Sequence, residues 1–113
     1  MTAGRSIEKK DAVRFYHPKH EKTCTGIVFE KQDDRLIVIF GRGSKFDAPY
    51  AIVEHPSTEA AAIDLNKTTY FYEWSVVRIL ANKAERVGHC PPAAWDRIHP
   101  IARKGLRRMV TLR

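Results

Sequence analysis

A chain of 113 residues, 43% hydrophobic and 29% charged, is long enough to bury one core and too short for two. No apolar run approaches a bilayer span, no apolar leader follows Met1, and two cysteines are too few for a secreted disulfide framework; these predict a cytoplasmic protein with reduced thiols and no membrane contact. The formal net charge of +7 is unevenly placed: residues 97–113 hold six basic residues and no acidic ones, leaving a near-neutral remainder. Such a tail suits a polyanion, although cations also suit the end of a terminal helix.

Residues 1–10 are small, polar or charged without apolar pattern, and predict a flexible arm ahead of a single domain over 11–113. Residues 11–16 alternate as a first strand, and residues 17–22, with Pro18 among charges, read as a solvent-facing loop. Residues 24–30 form a second strand, joined through Gln32-Asp33-Asp34 to a third over 35–40. That third strand is almost continuously apolar, as a buried central strand should be. Residues 49–54 predict a short strand, 55–59 a turn, and 60–65 either a helical turn or an edge strand. Residues 68–72 and 75–80 predict two further strands. Short strands at this spacing indicate a mainly β fold, a small barrel rather than a βαβ unit. The period then changes: Trp95, Ile98, Ala102, Leu106 and Met109 share one helical face, predicting a C-terminal helix over about 92–110. Pro91-Pro92 can open it, whereas Pro100 should kink or split it.

The residues that follow the third strand, Gly41-Arg42-Gly43-Ser44-Lys45, change character completely. Two glycines admit close approach to main-chain N–H groups, Arg42 and Lys45 supply charge, and Ser44 supplies a hydroxyl, a combination that suits a phosphate. An ordinary hairpin turn with surface cations accounts for them equally well. His17, Lys19, His20 and Lys22 gather on the first loop and would meet this turn at one end of a barrel if the second and third strands pair as a hairpin. Metal-free cleavage of RNA needs an acceptor for the 2′-OH proton, a donor for the leaving oxygen and cations around the phosphate. Ser44, Arg42, His17 and His20 are the candidates for that chemistry, and Lys45, Lys19, Lys22 and Tyr50 for binding the strand. Tyr16, Phe46, Tyr50, Tyr70 and Tyr72 could stack bases, with three of the five expected in the core. His17, His20, Cys24, His89 and Cys90 match no zinc spacing, so no metal and no cofactor are expected. Neither is a cysteine nucleophile, because no helix N-terminus or base pairs with Cys24.

Taken in order, these segments resemble the PemK/MazF family of toxin–antitoxin ribonucleases. Asp11-Ala12-Val13 is similar to the family's Asp-x-Val opening strand, and residues 22–28 occupy the place of its second. Residues 36–44 resemble the strand that runs into a Thr/Ser turn, and Thr69-Tyr70-Phe71 with Val76-Val77-Arg78-Ile79 resemble the later strands. Arg86-Val87-Gly88 followed by Trp95-Asp96-Arg97-Ile98 resembles the step into the C-terminal helix. The likeness spans about residues 10–110. It implies an SH3-like barrel, a homodimer, metal-independent endoribonuclease activity on single-stranded RNA, and an acidic antitoxin partner. The family's hydroxyl position then falls on Ser44, with Arg42 beside it. Its catalytic arginine falls at Cys24 and the following proline at Thr25, a departure that removes a permanent charge and a fork of donors. Two alternatives follow: a catalytically inactive barrel that binds nucleic acid, or one that binds an acidic protein partner.

Overall fold

Leu36, Val38 and Phe40 enter one hydrophobic cluster, while Ile37 and Ile39 enter another on the opposite face. Only a strand covered on both sides has this pattern, and the period-2 geometry of extended chain makes it possible. The computed structural model, which describes residues 6–112, places this strand at the centre of the sheet. The strands are β1 (Asp11–His17), β2 (Lys22–Gln32), β3 (Arg35–Arg42), β4 (Ala51–Val53), β5 (Thr69–Leu80), β6 (Ala84–His89) and β7 (Val110–Thr111), with helices α1 (Thr58–Ile63) and α2 (Pro92–Gly105). The sheet order is β4-β5-β3-β2-β1-β6, antiparallel throughout, and β7 adds in parallel to β5. The result is a curled half-barrel with a C-terminal helix, mainly β as its composition predicts.

The curl depends on one close approach. A Cβ on Gly26 would lie 2.5 Å from Val38 Cγ1 and 2.7 Å from the Ile39 carbonyl, so only glycine lets β2 bend this tightly over β3. One face then packs on α2 through Trp95, Ile98 and Ala102, and on α1 through Ala60 and Ile63. The opposite face gathers Val13, Phe15, Cys24, Val77 and Leu112 around the even-numbered residues of β3.

Several expectations change in detail. Residues 41 and 42 continue β3 rather than open a turn, and neither glycine of that segment has positive φ. Gly41 is needed for space, because its Cβ would meet Thr69 Cγ2 at 2.1 Å. Residues 60–63 are helical, with the Ser57 hydroxyl capping Ala60 N–H at 3.0 Å. The two strands expected over 68–72 and 75–80 are one, β5, and β6 joins β1 where no strand was expected. No β6 residue is fully buried, so its hydrophobic alternation is weak.

The C-terminal helix begins on Pro92, with Pro91 as its cap, but ends at Gly105 and not near residue 110. There a Cβ would lie 2.1 Å from the Glu73 carbonyl, so the chain crosses β5 at contact distance; it then turns through Leu106–Arg108 into β7. Pro100 does not split the helix; it is exposed, and the carbonyl of Asp96 it leaves unpaired can face water. Arg97 is not part of a free basic face, since it pairs with Glu59 and donates to the Ile52 carbonyl at 3.0 Å. Among the described residues, no helix is long and apolar enough to cross a membrane.

Asp11 ties the sheet edge together. Buried at the start of β1, its carboxylate accepts from His89 Nδ1 at 2.9 Å, Arg86 Nε at 3.1 Å and Glu8 N–H at 2.8 Å. Burial pushes this carboxyl up, but the donors from His89, Glu8 and Arg86 outweigh it and hold the group below the ordinary 3.8. A lowered folded value stabilises the protein above the unfolded value, and that contribution is lost as pH falls through the folded one. Asp11→Asn should therefore cost about 2–3 kcal/mol at neutral pH, the scale of a broken buried pair. Urea titrations of both proteins should show the difference narrowing as pH falls below 3.8; a pH-independent difference would refute the charge assignment.

Candidate nucleic-acid interface

A break in register between β3 and β5 builds the site. Ile39 pairs with Val76 and Gly41 with Phe71, so residues 72–75 of β5 face Phe40 alone. An excess on one strand makes it bulge and re-aims its side chains. Here the bulge stacks Tyr72 on Trp74, with centroids 4.5 Å apart and planes within 10°. It also turns the Ser75 hydroxyl toward Arg42, whose Nε donates to it at 3.3 Å. Tyr72, itself buried, holds the following loop by its hydroxyl, which donates to the Ser44 carbonyl at 3.2 Å and accepts from Phe46 N–H. Phe46 thereby rests edge-on against both Tyr72 and Trp74, while Tyr50 meets Tyr70 and Tyr72.

The result is a continuous aromatic wall whose outer members, Phe46 and Trp74, are 43% and 38% exposed. Of the five aromatics, three of which were expected in the core, one is fully buried. Tyr72 is buried, Tyr50 and Tyr70 are half-buried, and Tyr16 and Phe46 are exposed.

Arg42 stands between this wall and the first loop. Its guanidinium lies 5.6 Å from the Phe40 ring and 5.8 Å from the Phe46 ring. Across Phe40 are His17 and His20, with centroids at 5.2 and 5.7 Å from that ring and 4.2 Å from each other. The curl of the sheet thus brings together His17, His20 and Arg42. Lys19 joins them around a small cleft of about 140 Å³, walled by Trp74, Val110 and Leu112.

A second groove, of about 580 Å³, opens on the other side of Arg42 between Lys22 and Lys67, with Cys24 and Thr25 in its lining. Lys45 lies away from both clefts, 5.7 Å over the Tyr50 ring. Ser44 is exposed on the same loop and lines neither cleft.

Burial, then the surrounding charges, sets the protonation of the histidines. His17 is buried, and its Nδ1 has no hydrogen-bond partner among the described residues. Burial first, then His20, Lys19 and Arg42, lower its pKa to about 4. His20, at the rim, is lowered by burial and by Arg42 and Lys22. His17 is consequently a neutral imidazole at pH 7 and able to accept a proton. The cysteines are inert thiols by comparison. Burial raises Cys24, and burial with Glu59 pushes Cys90 up to about 12. Among the described residues, no three His, Cys, Asp or Glu side chains converge as a metal site would require.

Trp74, Ser75, Phe40 and Lys67 belong to this surface although the sequence reading did not single them out. Tyr70, Tyr72 and Trp74 do carry a period-2 signal for one strand face. Ser75 and Lys67 carry none, because their positions depend on the bulge and on the loop opposite Gly43. No protein-family model matches the chain, and neither does any curated protein.

Proton NMR of the histidines should find His17 titrating near pH 4, and Arg42→Ala should move both His17 and His20 upward. A folded value below the unfolded 6.5 also means that stability rises with pH between about 4 and 6.5. Titration of His17 at its ordinary value would contradict the buried, cation-flanked geometry.

Proposed function

We propose that this chain is an SH3-like barrel of the PemK/MazF type that binds single-stranded RNA and cuts it without a metal. The convergence of His17, His20 and Arg42 over Phe40, beside an exposed aromatic wall, carries this reading. Bases stack on Phe46 and Trp74, with Tyr50 behind them, and phosphates track the cations Lys19, Lys22, Arg42 and Lys45. In the reaction His17 takes the 2′-OH proton, the 2′-oxygen bonds to phosphorus, and the bond from phosphorus to the 5′-oxygen breaks. His20, protonated more readily once a phosphate anion lies beside it, returns a proton to the leaving 5′-oxygen. Arg42 neutralises charge developing on the phosphoryl oxygens, while Ser44, outside both clefts, takes no direct part. The products are a 2′,3′-cyclic phosphate and a 5′-hydroxyl. In this reading the chain is the toxin of a type II pair, works in the cytoplasm as a homodimer, and is silenced by an acidic antitoxin segment in the cationic groove.

One observation favours a second reading. Cys24, where the resemblance expects an arginine, is buried against Phe15 and Phe40 with its thiol held protonated. If Arg42 does not replace that charge functionally, the same surface is a non-catalytic binder of single-stranded nucleic acid.

With EDTA present, the wild-type protein should cut single-stranded RNA, and Arg42→Ala should lower the rate by about 10²–10³-fold with the fold intact. Binding without cleavage selects the second reading, and undiminished cleavage by Arg42→Ala removes Arg42 from the site. On a non-cleavable 2′-O-methyl oligonucleotide, Phe46→Ala and Trp74→Ala should each weaken binding by about 1–3 kcal/mol; unchanged affinity would remove the aromatic wall.

A further inference from the structure

At the far end of β5 three cations from separate elements surround an open cleft of about 810 Å³: Arg35 at the start of β3, Arg78 on β5 and Lys83 just after β5. Leu80, Leu112 and Thr111 complete the lining, and no carboxylate takes part in it. Register fixes the group. Arg35 pairs with Leu80, Arg78 pairs with Thr111, and the Leu112 N–H donates to the Arg78 carbonyl at 2.8 Å. Arg78 Nε donates to the Thr111 hydroxyl at 3.1 Å, which sets the plane of the guanidinium. Its outer nitrogens, like Arg35 and Lys83, have no ion pair among the described residues. Like charges gathered around one cleft repel one another, and an anion relieves that cost.

We propose that this cleft is a second anion site, which binds backbone phosphates of an RNA strand already engaged at the histidine cleft. The inference rests on the RNA reading above. Two arginines favour an oxyanion that can accept paired hydrogen bonds, as phosphate does. The cleft lacks aromatic residues, so it offers charge and hydrogen bonds but no stacking surface for a base. It shares Leu112 with the histidine cleft, and β7 divides the two with Val110 on one side and Thr111 on the other. A strand crossing β7 would therefore pass from a surface that reads bases to one that holds only phosphates.

The test compares 2′-O-methyl oligonucleotides of four and sixteen nucleotides by fluorescence anisotropy over a range of salt. Each phosphate contact on a single strand contributes about 0.7 to the slope of log K against log salt. Arg35→Gln/Arg78→Gln/Lys83→Gln should therefore lower that slope by about 2 on the sixteen-mer and leave the four-mer unchanged. Because Arg78 also anchors β7, Arg35→Gln/Lys83→Gln provides a version that keeps this anchor, with an expected reduction of about 1.4. An unaltered slope on the sixteen-mer, or an equal loss on the four-mer, overturns the second site. If the wild type binds neither length, the RNA reading fails by itself. Inorganic pyrophosphate then decides the anion site: shifts of the Arg35 and Arg78 side-chain NMR signals uphold it, and their absence overturns it.

Discussion

The four-against-one register break between β5 and Phe40 is the constraint on which the functional face depends. Regular pairing through residues 72–75 would leave Tyr72 and Trp74 as alternate members of a flat strand and take Ser75 away from Arg42. With the bulge, a buried tyrosine supports an exposed tryptophan, and a buried serine is satisfied by an arginine that would otherwise swing in solvent. The bulge is in turn tied down by the Tyr72 hydroxyl, which bonds to two backbone groups of the loop after β3. Removing that hydroxyl would release Phe46 before it released anything in the core.

Electrostatics on this face follow from unequal burial. Arg14 also lines the groove beside Cys24, yet its charge is answered by Asp64, and Arg97 is answered by Glu59. Arg42 has an aromatic and hydroxyl environment in place of a carboxylate, so its full charge acts on whatever enters either cleft. Burial first, and this charge with it, lowers the pKa of both neighbouring imidazoles. A bound phosphate would reverse that influence on His20 much more than on buried His17, as the acid and base roles of the proposed reaction require.

The parts of this arrangement that were legible in the sequence are those governed by local pattern. A continuous apolar run identified β3 as a covered strand, the step-three-and-four spacing located α2, and Pro91-Pro92 marked its start. The meeting of the His17 loop with Arg42 followed from a single topological assumption, that β2 and β3 form a hairpin. What escaped was set by contacts distant in sequence. Position 105 needs glycine because α2 ends against the Glu73 carbonyl, and β7 adds to the edge of β5 at Val77 and Arg78; neither leaves a mark in the local pattern. The expectation for Ser44 rested on turn chemistry, and the turn is shorter than its glycines suggested because Gly41 and Arg42 stay in β3.

That extension of β3 bears on Cys24, the position where the resemblance implies an arginine. Cys24 is directed into the apolar cluster with Phe15 and Phe40, where a guanidinium would be costly to bury. Arg42 reaches the same groove from the neighbouring strand, with its guanidinium over the Phe40 ring at the edge of the core. A cation on β3 and a small apolar residue on β2 form a self-consistent pair: the thiol completes packing beneath the groove, and the guanidinium serves it from the rim. An arginine at position 24 would add like charge to a groove already lined by Arg14, Lys22, Arg42 and Lys67, whereas Arg42 is held in one direction by Ser75.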